Sequence, residues 1–316
     1  MALRNEEENM LQKLYSIGTL ALQILILFIK ICYVTLEGIF NSIVPKPLKS
    51  VKGEIVLVTG AGHGIGREIA IKYAELGSTV VCLDINEKGN EETVKLIQNN
   101  GFQNVHTYKC DVTKREEVLQ AIDKIKKEVG DVTVLINNAG IMPCHQLLDH
   151  KPQEIIKMFE VNVFAHFWLL EAVLPNMIKK NHGHIVALSS MAGVFGLRNL
   201  VPYCASKFAV RGLMEAVAEE FREEKIASEV HFTIICPYMV NTGLCKNPKI
   251  NQRFGEILAL LNPKSVAEII VTSMRQNKSI VTIPSFFMAV NNIFRIFPAK
   301  VLHMVTDFLD SGMNAD

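Results

Sequence analysis

Residues 55–66 read IVLVTGAGHGIG, and residues 67–76 continue REIAIKYAEL. The aliphatic, β-branched run predicts a short buried strand, and the apolar-periodic, charged run after it predicts a helix. Gly60, Gly62, Gly64 and Gly66 fall on the turn between them. Glycines lack Cβ atoms and let the backbone approach an anion closely, while the following helix offers free N–H groups and the positive end of its dipole. A strand, a glycine turn and a helix in this order open a βαβ unit of the kind that binds a dinucleotide, so Gly60, Gly62, His63, Gly64, Ile65 and Gly66 are expected around its pyrophosphate. The spacing is GxxxGxG, which by itself matches the GxGxxG fingerprint poorly.

Outward from this turn, STVVCLD (78–84) reads as the second strand and ends in Asp84. A carboxylate there accepts hydrogen bonds from the adenosine ribose hydroxyls and repels a 2′-phosphate, and neither Ile85 nor Asn86 is basic, which favours NAD over NADP. Further β-rich runs follow at VHTYKCDV (105–112), VTVLINNAG (132–140), HIVALSS (184–190), EVHFTIICP (229–237) and SIVTIP (279–284), with amphipathic stretches between them. Seven strands alternating with helices predict an α/β, doubly wound, parallel sheet over residues 50–285.

The 33 basic and 32 acidic side chains nearly cancel, and no basic block stands out, which argues against nucleic acid as a partner. Seven cysteines occur without a CxxC pair or a zinc-like Cys/His spacing, so reduced thiols facing the cytosol are expected. His182-Gly-His184 reads as a turn entering a strand, and no metal is expected.

The stretch IGTLALQILILFIKICYVTL (17–36) has the length of a bilayer core, and residues 1–49 are read as a membrane anchor. Glu6, Glu7 and Glu8 precede it and no clear cleavage site follows, unlike a signal peptide. Lys46, Lys49 and Lys52 follow it, a bias that places the rest of the chain on the cytosolic side. Spanning and lying in one leaflet both stay open, and Lys30 and Gly38 suit a hairpin or a flat helix. The apolar tail 286–316 is expected to pack on the domain, to form a lid or to touch the membrane, with packing the commoner outcome.

TGAGHGIG (59–66), Asn137-Asn-Ala-Gly140, Ser190 and Tyr203-x-x-x-Lys207, in this order, resemble the short-chain dehydrogenase/reductase family over residues 50–285. The resemblance implies a Rossmann fold, NAD as cofactor and a Ser-Tyr-Lys-Asn site. Tyr203 and Lys207 lie four apart on a predicted helix and share a face. A free phenol has a pKa near 10, and a nearby cation lowers it by stabilising the phenolate. By the resemblance Tyr203 takes the alcohol proton and Lys207 also holds the nicotinamide ribose. Ser190 orients the reacting oxygen, with adjacent Ser189 as the alternative. Asn162 stands where the family holds a proton-relay water, and it reads equally as the cap of a helix kink.

Other positions follow from the same resemblance. Asp111, with Val112, corresponds to the adenine contact, although Asp111 reads equally as a helix cap. Asn138, Ala139 and Gly140 form the turn beneath the cofactor. Pro237, Val240 and Thr242 lie near the carboxamide, although Thr242 also reads as a strand end, and Tyr238 replaces the usual glycine after Pro237. FEVNVFAHFW (159–168), NHGHIVALSS (181–190) and the stretch 240–248 resemble the membrane-associated members: 17-beta-hydroxysteroid dehydrogenases 11 and 13, the closer likeness, and the epidermal retinol dehydrogenases. This implies a lipophilic alcohol or ketone substrate of the steroid or retinol class, an endoplasmic reticulum or lipid-droplet location, and a homodimer formed by the helices of Asn162 and Tyr203. Residues 141–150, 191–200 and 238–262 are expected to wall the substrate pocket. The alternative is a membrane or lipid-droplet interaction protein on an inactive dehydrogenase fold.

Overall fold

The computed structural model describes residues 2–44, 46–244, 248–249, 259–309 and 312–315. The chain divides into two units, Met1–Leu48 and Lys49–Asp316.

The first unit is one helix, α1 (Ala2–Ile43). The most apolar 18-residue stretch within Asn9–Phe40 has a mean hydropathy of 2.2, and none of it is buried. At the rise of an α-helix the twenty residues 17–36 measure about 30 Å, the thickness of a hydrocarbon core. The helix runs unbroken through Lys30 and Gly38, so the hairpin does not form. One interior glycine costs a helix only about 1 kcal/mol, and Leu36, Glu37, Ile39 and Phe40 around it continue the pattern.

In the second unit all seven predicted strands form: β1 (Ile55–Thr59), β2 (Thr79–Asp84), β3 (Val105–Lys109), β4 (Val134–Asn137), β5 (Gly183–Leu188), β6 (Val230–Pro237) and β7 (Ile280–Ile283). They make one parallel sheet in the order β3-β2-β1-β4-β5-β6-β7. Side chains alternate across it. Leu57, Leu135 and Ile185 pack under α4 (Arg115–Glu128), α6 (Ala165–Lys180) and α7 (Val201–Glu223). Val56, Val58, Ile136 and Val186 pack under α2 (Gly64–Glu75), α3 (Glu87–Asn99) and α8 (Pro263–Arg275). Both faces are covered, as the near-continuous apolar strands require. Because β1 lies between β2 and β4, the winding reverses at its carboxyl end, where such sheets bind ligands.

The segment Pro152–Lys180 is also long and apolar enough to cross a membrane, but 44% of its most apolar stretch is buried, and it belongs to the domain as α5 (Pro152–Phe159), a π turn (Glu160–Phe164) and α6. The tail forms α9 (Phe286–Phe294) and α10 (Ala299–Leu309), and Gly312–Met313 pairs antiparallel with Pro248–Lys249.

Candidate active site

The glycine turn leaves β1 with Gly60 at φ +66°, a left-handed conformation, and a Cβ there would meet Asn138 Nδ2 at 2.9 Å. Gly66 is held more tightly: a Cβ on it would lie 2.1 Å from the Gly60 carbonyl oxygen. The turn is locked to the end of β4 through Thr59. Its Oγ1 accepts hydrogen bonds from the backbone N–H of Asn138 and of Ala139 at 3.0 and 3.1 Å, while Asn138 Nδ2 donates to the Thr59 carbonyl at 2.9 Å. Thr59 was not among the expected site residues, and its only signal was its place between a strand and a glycine.

Asp84 closes the other side of the turn. Its Oδ2 accepts from Gly62 N–H at 2.8 Å and its Oδ1 from Asn86 N–H at 2.9 Å. Each carboxylate oxygen keeps a further lone pair. Exposed His63 precedes α2 in an extended conformation and gives its first turn no side-chain cap, which leaves helical N–H groups available to an anion. A glycine cradle that a Cβ would fill, an uncapped helix start and a carboxylate at the tip of β2 together suit a dinucleotide.

Lys207 is buried on α7, and its Nζ donates to the Leu188 carbonyl at 2.8 Å. Burial, the dominant cause, pulls its pKa down to about 8, against a weaker opposing effect of Cys236. Its Nζ lies 5.7 Å from the centre of the Tyr203 ring, one helical turn away. The two adjacent serines separate clearly. Ser189 is buried and donates its hydroxyl to the Lys207 carbonyl at 2.9 Å, whereas Ser190 is partly exposed, its Oγ accepting the Ala192 N–H at 3.1 Å.

Asn162 sits in the π turn, fully buried. Its Oδ1 accepts from Ile141 N–H at 2.9 Å, and its Nδ2 donates to the Ile141 carbonyl at 3.0 Å and to Ser206 Oγ at 3.1 Å. A methyl at Gly140 would lie 3.3 Å from Asn162 Oδ1 and 3.6 Å from Lys207 Nζ, so both groups approach the same point of the backbone. One turn beyond, buried His166 is pushed down to about 3, by burial first and by the Lys207 charge second, and stays neutral.

Ser190, Tyr203 and Lys207 share one cavity of about 220 Å3 with Ile65, Asn138, Gly140, Pro237, Val240 and Thr242. Thr242 also touches the glycine turn, its Cβ 3.0 Å from where Gly64 would carry one. Tyr238 follows Pro237 without a left-handed backbone and stacks on Phe287 at 5.5 Å, so the missing glycine costs the path nothing. Asp111 and Val112 stand apart from this cavity. Asp111 Oδ1 accepts the Thr113 N–H and hydroxyl, closing a turn before α4, and Val112 packs in the core.

Of the expected walls, Met142, Phe195, Leu197, Leu200 and Met239 line the cavity, and residues 245–247 and 250–258 lie outside the described residues. Phe287, Asn291, Phe294, Val305 and Met313 line it too, from the tail. Arg295 clamps this tail by donating to the Val194 carbonyl at 3.1 Å.

A family model described as short chain dehydrogenase matches residues 54–253. The chain belongs to the short-chain dehydrogenase family. This dehydrogenase is therefore an oxidoreductase acting on CH–OH donors. It is 41% identical to human epidermal retinol dehydrogenase 2, over 87% of its own length and 88% of that protein's. It is 39% identical to human 17-beta-hydroxysteroid dehydrogenase 13, over 88% and 91%, and 40% identical to rat estradiol 17-beta-dehydrogenase 11, over 85% and 88%. These identities do not separate the steroid-named from the retinol-named relatives. Among solved structures, a short chain dehydrogenase/reductase from Burkholderia phymatum in complex with NAD superposes with a TM-score of 0.70 at 25% identity, covering 78% of this chain and 94% of that one. A metagenomic short-chain oxidoreductase in complex with NADP gives 0.61 at 27%, covering 74% and 97%.

Proposed function

We propose that this dehydrogenase interconverts a lipophilic secondary or primary alcohol and its ketone or aldehyde, of the 17-beta-hydroxysteroid or retinol class, with NAD. The observation that carries the reading is the convergence of Ser190, Tyr203 and Lys207 on one cavity whose remaining wall is largely apolar, bounded by Phe195, Leu197, Leu200, Met239 and Phe287. Gly60, Gly62, Gly64, Gly66 and the start of α2 would hold the cofactor pyrophosphate, Asp84 the adenosine ribose, and Asn138 to Gly140 the floor beneath it. Asp84 Oδ2 on the glycine turn, with Ile85 and Asn86 beside it, favours NAD over NADP. When bound, the nicotinamide takes up or supplies the hydride at the carbinol carbon.

The residues of the chain handle the proton. Tyr203 accepts it from the alcohol in oxidation and returns it in reduction. Lys207, as a cation, stabilises the phenolate through space and turns its remaining N–H groups to the cofactor ribose. Ser190 holds the reacting oxygen; Ser189 is committed to the Lys207 carbonyl, which supports Ser190 in that role. Asn162 fixes the Ile141 backbone against α7 and leads the proton on toward Lys207 through water.

α1 anchors the enzyme on the endoplasmic reticulum membrane or a lipid droplet, with the catalytic unit in the cytosol. The tail supports a second lipid contact: Phe287 and Asn291 face inward, while Phe286, Ile293, Ile296 and Phe297 are exposed. A homodimer through α6 and α7 is favoured by the exposed aromatic residues Phe164, Phe167 and Phe208 on the π turn and those helices. The test is NADH formation by the full-length protein in membranes, supplied with NAD and a panel of steroids, retinol and straight-chain alcohols. Turnover of a steroid or retinol supports the reading, and no turnover of any alcohol would favour an interaction protein on the dehydrogenase fold.

A further inference from the structure

The loop from β4 to α5 carries a second cluster of chemistry, away from the Ser190–Tyr203–Lys207 cavity. A single 3-10 turn, Leu147–Asp149, brings His145 and His150 together, their ring centres 5.0 Å apart and their planes at 70°. Glu154, the third residue of α5, points back at both. His150 Nδ1 lies 3.7 Å and His145 Nε2 3.8 Å from the same oxygen, Glu154 Oε2.

These are not the distances of hydrogen-bonded partners, which approach to about 3 Å. They are near the separation of about 3.3 Å between donors that share a tetrahedral ion at about 2 Å bond lengths. All three donor atoms lie within 4.8 Å of one another. The His150 side chain has no exposed surface, and neither of its ring nitrogens has a hydrogen-bond partner. Burying such a group without a partner is costly, and an imidazole lone pair facing a carboxylate is a ligand set in search of a cation. Glu154 is already oriented for the purpose, since its Oε2 also accepts the Lys151 N–H at 3.2 Å and cannot swing away freely.

We propose that His145, His150 and Glu154 bind one divalent ion of the borderline transition series, zinc above all, with water completing the coordination. Two imidazoles and one carboxylate suit zinc, and a site of three protein ligands keeps a position open to water. The ion staples the loop. The same loop presents Met142 to the catalytic cavity and places Cys144 in one buried cluster with Met313, its Sγ donating to the Asn314 carbonyl at 3.2 Å, so metal occupancy steadies one wall of the substrate pocket. The binding itself does not depend on which alcohol the enzyme turns over.

The experiment uses full-length protein in detergent, stripped with a chelator. It is titrated with Zn2+ against a chromophoric chelator and with Co2+ as a spectroscopic stand-in. The expected result is one ion per chain, the intense visible bands of four-coordinate Co2+, and a rise in thermal midpoint on adding Zn2+. His145→Ala, at a half-buried position, and Glu154→Gln, which keeps an acceptor for the Lys151 N–H, should each weaken binding at least about tenfold and remove the rise. Failure to take up a stoichiometric ion, or equal affinity in both variants, overturns the proposal. A KM for the alcohol that falls with Zn2+ in the wild type but not in His145→Ala would tie the site to the pocket wall, and an unchanged KM would refute that link.

Discussion

The Lys207 ammonium donates a 2.8 Å hydrogen bond to the carbonyl of Leu188, the last residue of β5, while the next side chain, Ser189, donates to the Lys207 carbonyl. The lysine is thereby fixed at the rim of the sheet beside Leu188, which stands two residues before Ser190, in a setting that disfavours its charge. Below a pH of about 8 it is cationic, and above it neutral, compared with 10.5 for a free side chain. Between these values the unfolded chain holds a proton that the folded one lacks, so the cost of burying this charge is relieved and stability rises with pH from about 8 to 10.5.

A kinetic limb follows. If the cation stabilises the Tyr203 phenolate, kcat/KM should fall as pH rises through about 8, the value set by burial of Lys207. In Lys207→Arg, which stays charged, that limb should vanish, and a limb unchanged in that variant would show that the lysine charge is not required. Lys207→Ala should lower both kcat and NADH affinity, because it removes both proposed roles; a change in affinity alone would remove the electrostatic one.

The glycine turn makes a packing prediction. In Gly66→Ala the new methyl would lie 2.1 Å from the Gly60 carbonyl oxygen, so the turn must open. The variant should lose on the order of 1–3 kcal/mol of stability and bind NADH at least about tenfold more weakly. Gly212→Ala, whose methyl meets nothing within 4 Å in the interior of α7, is the control: it should bind as the wild type does and melt no lower, since an alanine there favours the helix by up to about 1 kcal/mol.

Cofactor choice rests on Asp84. Replacing it by Ser and Ile85 by Arg removes the carboxylate and supplies a partner for a 2′-phosphate, so the ratio of kcat/KM for NAD to that for NADP should fall by at least about tenfold. A wild type that already prefers NADP would mean that Asp84, despite its bond to Gly62 N–H, does not meet the ribose.

Six of the seven strands were legible as short apolar runs near Gly, Pro, Asn or Asp, which a sheet covered on both faces favours, while edge strand β3, VHTYK, was legible from its β-branched and aromatic residues. Ser190, Tyr203 and Lys207 were legible through the order of motifs shared with the family, Tyr203 and Lys207 also through their spacing on one helix, and all three line one cavity. Asn162 was placed but not its setting: a π turn inserts one residue into the helix, and EVNVF carries no breaker that announces it. The pocket wall supplied by Phe287, Asn291 and Met313 was one of three readings of the tail that the sequence left open, for another reason. Its partners Tyr238 and Asn199 are remote in sequence, and an apolar helical tail has the same periodicity whether it packs, closes a pocket or meets lipid. His145, His150 and Glu154 escaped notice because a loop turn, not a motif spacing, brings them together.

The anchor gives a cell-biological prediction. Deleting residues 1–45 should move the protein to the soluble fraction, whereas carbonate should fail to extract the full-length chain. Protease added to intact microsomes should digest the catalytic unit. A protected or glycosylated domain would reverse the proposed orientation, and a freely soluble full-length protein would remove the argument that α1 delivers the enzyme to its substrate.

If Tyr203 moves the proton, Tyr203→Phe loses turnover and keeps its NADH affinity, both measured on full-length protein with the best alcohol of the panel. The substitution deletes one hydroxyl and leaves the glycine turn untouched. The predicted result is a fall in kcat of about 10²–10⁴-fold with NADH binding within a factor of about three of the wild type. Retention of substantial turnover by Tyr203→Phe would contradict the assignment.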